Sequence, residues 1–359
     1  MSAELTLTAS LTEARRQLEI CNACRYCEGY CSAFPAITRL RAFDDGDIEQ
    51  IANLCHNCRG CYYACQYTAP HEFDLNLPRA LAEVRHDSWE EHVWPSAFGR
   101  LFQRKAWPTI LAIVLGFAAL FLAIRTLGAQ AGDGFYAVLS HSAMVAIFLP
   151  SFVIPLLAVA VGLRSYWRAI GGTSIHLSHI TDALSQAATM RNLKGGHGEG
   201  CNFEVEDRFS HQRRYAHHAV MIGFLMCFAS TSVATFLHYV FDQPAPYPLF
   251  SWPKALGIPG GILLTLGCVW MMALKLKADG DLSAPTARSA EFAFIGLLGF
   301  VALTGLLLYW LGDRAAMPLL LAIHLGAVLA FFLLTPFTKM AHGFFRLAAL
   351  IRDAQIRLG

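Results

Sequence analysis

From residue 107 onward the chain alternates long apolar runs with short polar stretches, whereas residues 1–105 mix polar, charged and apolar positions without any long apolar run. A helix needs about 20 mainly apolar residues to cross a hydrocarbon layer about 30 Å thick. Six runs reach that length, at 107–127, 142–163, 218–240, 256–276, 291–312 and 318–340. The pattern predicts an all-α protein, with a six-span transmembrane helical bundle at 106–359 behind a smaller domain at 1–105. A polar loop, 164–216, separates the second and third spans. Trp89, Trp94 and Trp107 bracket the basic stretch Arg100–Lys105, as expected of a short interfacial helix leading into the first span.

Composition strengthens this reading. The 359 residues are 55% hydrophobic and only 15% charged, against about 25% charge in a soluble domain. Lipid is therefore the main solvent. A net charge of +2 excludes a nucleic-acid partner, but the positions of the basic residues carry information. Arg100, Arg104 and Lys105 precede the first span, seven Lys and Arg residues lie in loop 164–216, and Lys339, Arg346, Arg352 and Arg357 follow the last span. The opposite side holds only Arg125, Lys254 and Arg314. Positive residues mark the cytoplasmic side, so both termini, the N-terminal domain and the long loop are expected in the cytoplasm of a multi-pass bacterial inner-membrane protein.

Eight of the eleven cysteines fall between Cys21 and Cys65. Cys21, Cys24, Cys27 and Cys31 form CxxCxxCxxxC, and Cys55, Cys58, Cys61 and Cys65 repeat it. Residues 1–20 lack the apolar core of a secretory signal, so these thiols are expected in a reducing compartment, where clustering means metal or redox chemistry. A CxxCxxC loop wraps three thiolates around one cubane, and the fourth Cys serves the other cluster. On that rule one [4Fe-4S] cluster takes Cys21, Cys24, Cys27 and Cys65, and a second takes Cys55, Cys58, Cys61 and Cys31. The N-terminal domain is then α-helical, ferredoxin-like and double-cluster. The alternative, two zinc sites, normally uses paired CxxC with a longer gap. One departure concerns local turn geometry: Pro35 and Pro70 stand four and five positions past the fourth Cys, where ferredoxins have proline directly after it. His56 and His71 lie close to ligand sets that are already complete.

Ionisable residues inside a membrane are costly and mark function. His217, His218 and His238 lie on the third span, His324 and His342 at the last. His324 and His342 are 18 positions apart, five turns of one helix face and about 27 Å along it. His217 and His238 likewise share a face at the 3.5-residue period of a left-handed bundle. Given the orientation, His217 should face His342 near the cytoplasm and His238 should face His324 near the far side. Two histidines from two helices at one depth suit bis-histidine b-type haem, so two haems are expected. His218 points about 100° away from His217, so only one of the two can serve, and periodicity favours His217.

Loop 164–216 contains GGHGEG at 195–200 followed by Cys201. Its glycines do not match a dinucleotide fingerprint. The loop reads either as a lid over the haem or a docking surface for the iron-sulfur domain or the dehydrogenase, or as a plain connector. Cys227 and Cys268 read as small apolar residues inside spans.

The paired cysteine runs, the six spans, RRYAHH opening the third span and HYV closing it resemble the CitB/TcuB (tricarballylate utilisation protein B) family over nearly the whole length. The segment HLGAVLAFFLLTPFTKMAHGFFR at 324–346 is similar to the last haem-binding helix of the respiratory nitrate reductase gamma subunit, which implies His324 and His342 as ligands of two different haems. The family resemblance implies an electron-transfer partner that reoxidises a soluble FAD-dependent, TcuA-like tricarballylate dehydrogenase and delivers electrons to the membrane, with quinone as the natural acceptor. A related fusion in cobalamin synthesis makes a different flavoprotein an alternative partner. A stand-alone membrane oxidoreductase and a transporter are the competing classes. The first has no flavin fingerprint to support it. A transporter would place carboxylates at mid-span, and here only Glu291, at a span boundary, is available.

Overall fold

The computed structural model describes residues 3–127, 136, 138–312 and 314–359. Among them the secondary structure is helical, with one isolated antiparallel bridge between Cys201 and Ser210. The N-terminal region holds α1 (Ala3–Cys24), α2 (Phe34–Thr38), α3 (Asp45–Leu54), α4 (Gly60–Tyr63), α5 (Leu77–His92) and α6 (Ser96–Arg104). α3 starts at a reciprocal cap, in which the Asp44 and Asp47 carboxylates each accept the other's backbone N–H, satisfying donors that the first turn leaves orphaned. Leu18, Phe34, Ile37, Ile48, Ile51 and Val84 form the core between these helices. α6 occupies the place of the expected interfacial helix, with Phe102 buried and Leu101 exposed.

Six helices are long and apolar enough to cross a membrane: α7 (Ala106–Leu127), α8 (His141–Ala169), α10 (Gln212–Phe241), α11 (Trp252–Lys277), α12 (Arg288–Leu311) and α13 (Met317–Leu334). Between α8 and α10 lies α9 (Leu177–Ala188), and α14 (Ala341–Leu358) closes the chain. Without a hydrophobic drive between helices in lipid, close contact depends on small residues. A Cβ on Gly223 would sit 2.5 Å from the Leu264 nitrogen, and one on Gly326 would sit 2.5 Å from the Val114 oxygen. Those two glycines seat α10 on α11 and α13 on α7.

One expectation is corrected. The last span does not continue through residue 340 to carry His342. α13 ends at Leu334 and a turn of six residues leads to α14. Pro336 has no N–H to bond the Phe332 carbonyl, and that carbonyl accepts the N–H of Thr335 instead, at 3.2 Å. His324 and His342 therefore lie on different helices, and their spacing of five turns has no geometric meaning. After the turn, α14 leaves the bundle and adds Ala349 and Leu350 to the core of the N-terminal region.

Candidate functional site

The end of α1 supplies Cys21 and Cys24, and the turn behind it supplies Cys27. These three line one pocket with Cys65 from the second run, together with Arg25, Tyr26, Gln66, Tyr67 and Leu75. Burial, with the thiols of Cys27, Cys65 and Cys24 adding to it, pushes the Cys21 thiol up to about 12. Cys31 is pushed well up by burial and then by Cys58 and Cys55; Cys61 by burial, then by Cys31 and Cys58. Cys65 thus lies with the first run and Cys31 beside the second, and Cys61 borders Cys21, Cys27 and Cys65 in an adjoining pocket. Left-handed backbone at Asn57 (φ 54°) and Arg59 (φ 70°) turns the second run back on itself, a conformation rare for residues with a Cβ. Backbone N–H groups of Asn57 and Tyr67 point at Cys55 Sγ (3.4 Å) and Cys65 Sγ (3.3 Å). Neutral thiols held at such high pKa lose their protons readily only to a metal. Among the described residues no three His, Cys, Asp or Glu side chains converge on a single-ion site. A cubane, with its irons at separate corners, needs its thiolates spread wider than one zinc ion does, so the donor set fits a cluster.

The long loop covers the second group. Asn202 N–H donates to the Cys58 carbonyl at 2.8 Å, Gly196 N–H to the Tyr30 carbonyl at 3.1 Å, and Ser32 Oγ to the Asn192 carbonyl at 3.3 Å. His197 stands edge-on to Tyr30 with ring centres 5.1 Å apart. Gly195 and Gly200 take positive φ, 74° and 104°, which a side chain would resist. The loop therefore packs on the cysteine-rich region rather than running free as a plain connector, and in that position it forms a lid over the second cysteine run. Cys201 lies buried beneath it, its thiol donating to the Leu193 carbonyl at 3.6 Å.

Beneath this second group is a basic layer, of which sequence reasoning counted only Arg213 and Arg346, as topology signals. Arg85 and Arg346 both donate to the Cys55 carbonyl, at 2.6 and 2.9 Å. Arg213 donates to the Asn57 carbonyl at 2.8 Å, and Arg59 to the Asn57 side chain at 3.1 Å. Burial lowers Arg346 to about 9, with Arg85 adding to the effect, and lowers Arg59 to about 10, with Arg213 adding to it. His56, 3% exposed, sits among them with neither ring nitrogen hydrogen-bonded.

Arg213 and Arg346 are each one helical turn from a histidine, in Arg213-xxx-His217 on α10 and His342-xxx-Arg346 on α14. That spacing puts arginine and histidine on one face and was the available signal. The His217 and His342 rings meet with centres 5.9 Å apart and planes at 74°. Two imidazoles from two helices brought this close could together hold one iron. His342 Nδ1 is engaged by the Lys339 carbonyl, which leaves Nε2 for a ligand, the usual way an outer partner orients a metal-binding ring. His218 faces away, toward the Ala188 carbonyl at 3.2 Å. At the other end of the spans, His238 and His324 are not brought together in the same way. His238 stacks on His141 at 4.2 Å, and His324 Nδ1 pairs with Thr304 Oγ1 at 2.9 Å.

Two family models match the chain. Citrate utilization protein B covers residues 104–358, and the citrate utilization protein B Fer4-like domain covers residues 14–91. Citrate utilization protein B of Escherichia coli is 41% identical over 354 residues, 97% of this chain and 93% of the relative. No solved structure matches.

Proposed function

The chain belongs to the citrate utilization protein B family, and on that premise we propose that it is a membrane electron-transfer protein. It accepts electrons from a reduced soluble FAD-dependent dehydrogenase, moves them through two [4Fe-4S] clusters and b-type haem, and delivers them to membrane quinone. The relative's name ties that protein to citrate utilization, and we extend a tricarboxylate, citrate or tricarballylate, to the partner dehydrogenase. The distribution of Lys and Arg supports an inner-membrane protein with both termini in the cytoplasm.

The observation that carries the reading is the Arg346 contact. One side chain of α14 joins the Cys55 carbonyl to the helix face that bears His342, so the second cysteine group and the histidine pair belong to one packed unit. Cys21, Cys24, Cys27 and Cys65 would hold the first cluster and Cys55, Cys58, Cys61 and Cys31 the second. His217 and His342 would hold a haem, and His238 and His324 remain the proposed ligands of another, which requires His238 to leave His141. Bound there, iron centres supply one-electron redox steps. The chain's own residues do the rest: the lid excludes water from the second cysteine group, Lys339 orients His342, and the arginines place positive charge beside Cys55. Two pockets among the described residues are lined by cysteines of both runs, which supports a redox conduit.

The test is a visible spectrum of the purified, dithionite-reduced full chain with iron and acid-labile sulfide counts. About eight cluster irons and a b-type α-band are expected. About four cluster irons would remove the two-cluster scheme, and no α-band would remove haem. A reduced candidate flavoprotein should reduce the chain, and added quinone should reoxidise it.

A further inference from the structure

Two cysteine groups of the same ligand type sit in opposite electrostatic surroundings. Around Cys55 and Asn57 are the guanidiniums of Arg59, Arg85, Arg213 and Arg346, three of which donate to the backbone carbonyls of Cys55 and Asn57. Among the described residues none of the four has a carboxylate within ion-pair distance. The buried carboxylate of the lid, Glu204, lies beside Cys201 and is not paired to them. Unpaired buried charge is costly, and a counter-charge must offset it. The first group has no such layer: the single arginine in its pocket, Arg25, donates to Asn22 rather than to a cysteine carbonyl. The charged neighbours that act on Cys21 are the other thiols, and Cys24 and Cys65 are only half-buried.

We propose that the Arg59–Arg85–Arg213–Arg346 layer, with the free ring N–H of His56, gives the cluster on Cys55, Cys58, Cys61 and Cys31 a higher reduction potential than the one on Cys21, Cys24, Cys27 and Cys65. Electrons then enter at the Cys24 edge and are drawn inward to Cys55. The inference rests on the two-cluster reading above. A cubane held by four thiolates is anionic, and reduction adds one more negative charge. Adjacent cations and hydrogen bonds to sulfur favour that reduced state. Burial under the lid acts in the other direction, because low dielectric penalises added charge. The same low dielectric strengthens each arginine's attraction, and four cations without an ion-pair partner outweigh it. In the step itself one electron leaves the first cluster, which is oxidised, and enters the second, which is reduced. No proton or bond changes place.

The experiment is an EPR-monitored redox titration of the full chain in detergent, after iron and sulfide counts. A chain without two clusters overturns the site reading itself, separately from this one. With two clusters present, two midpoints are expected, and Cys24→Ser should alter the lower one. Arg85→Gln, Arg213→Gln and Arg346→Gln each keep an amide donor for the carbonyl but remove the charge. Each should shift the upper midpoint downward and leave the lower in place, and Arg346→Lys should restore it. Arg25→Gln, on the exposed first loop, should leave the upper midpoint alone. An upper midpoint that belongs to the Cys24 cluster, or one that none of the three Gln variants moves, overturns the proposal. If one Gln variant loses its iron, the other two decide.

Discussion

The Arg346 guanidinium donates a 2.9 Å hydrogen bond to the carbonyl oxygen of Cys55, a residue 291 positions away in sequence. This contact fastens the C-terminal helix to the second cysteine run and places His342, one turn back along α14, against His217 of α10.

His217→Ala and His342→Ala are expected to remove the same component of the reduced b-type α-band, because both rings face one position. His218→Ala should keep that component, since its ring is turned to the Ala188 carbonyl. Difference spectra of the three variants at equal protein concentration decide it.

Cys201 is buried beside the second cysteine group and hydrogen-bonded to a carbonyl, yet it lies outside both runs. Cys201→Ala should retain the full iron and acid-labile sulfide count. A loss of about four irons would make it a ligand.

A Cβ at Gly196 would sit 1.7 Å from the Gly29 carbonyl oxygen, so Gly196→Ala must lift the lid from the Cys31 loop. The expected result is faster bleaching of the cluster absorbance in air and faster iron loss to a chelator, with the haem band unchanged over the same interval.

Glu291 pairs with both Lys275 and Lys339, tying α12 to α11 and to the turn before α14. Glu291→Gln leaves two largely buried ammonium groups without a counter-charge. Removing one partner of a fully buried pair costs about 3–5 kcal/mol, and partial exposure here lowers that to about 2–3 kcal/mol. Thermal unfolding in detergent should show the loss.

Burial raises the Asp87 carboxyl to about 6, with Glu90 and Glu83 adding to it against a hydrogen bond from Ser10. Unfolded, an Asp titrates near 3.9, so the folded state binds this proton more tightly. Stability from the group is present at low pH and is lost as pH rises through about 4 to 6. Asp87→Asn should therefore stabilise the protein at pH 8 by about 1–2 kcal/mol, with a gain that shrinks toward pH 5. Parallel melts at the two pH values measure it.

Legibility in sequence tracked the range of the interactions involved. Six helices could be placed from hydropathy because in lipid each must satisfy its own backbone hydrogen bonds. The cysteine runs were readable because the loop CxxCxxC is itself the ligating unit. The fourth cysteines, Cys31 and Cys65, could be exchanged on paper by a known rule, and the fold brings Cys65 into the pocket of Cys21. The sixth span failed where one residue overrode the apolar pattern. Pro336 interrupts the ladder inside a run that remains hydrophobic on both sides.

The sequence by itself determined the helical class, the number of apolar helices and the thiols that gather, since composition and local spacing decide these. Only the tertiary structure decided that His238 stacks on His141, that the long loop packs over Cys58, and that Arg59, Arg85, Arg213 and Arg346 form one buried layer. Those residues come from α5, α10, α14 and the second cysteine loop, and no local pattern relates them. Their charges become a chemical feature only when packing strips away the water that would otherwise screen each one separately.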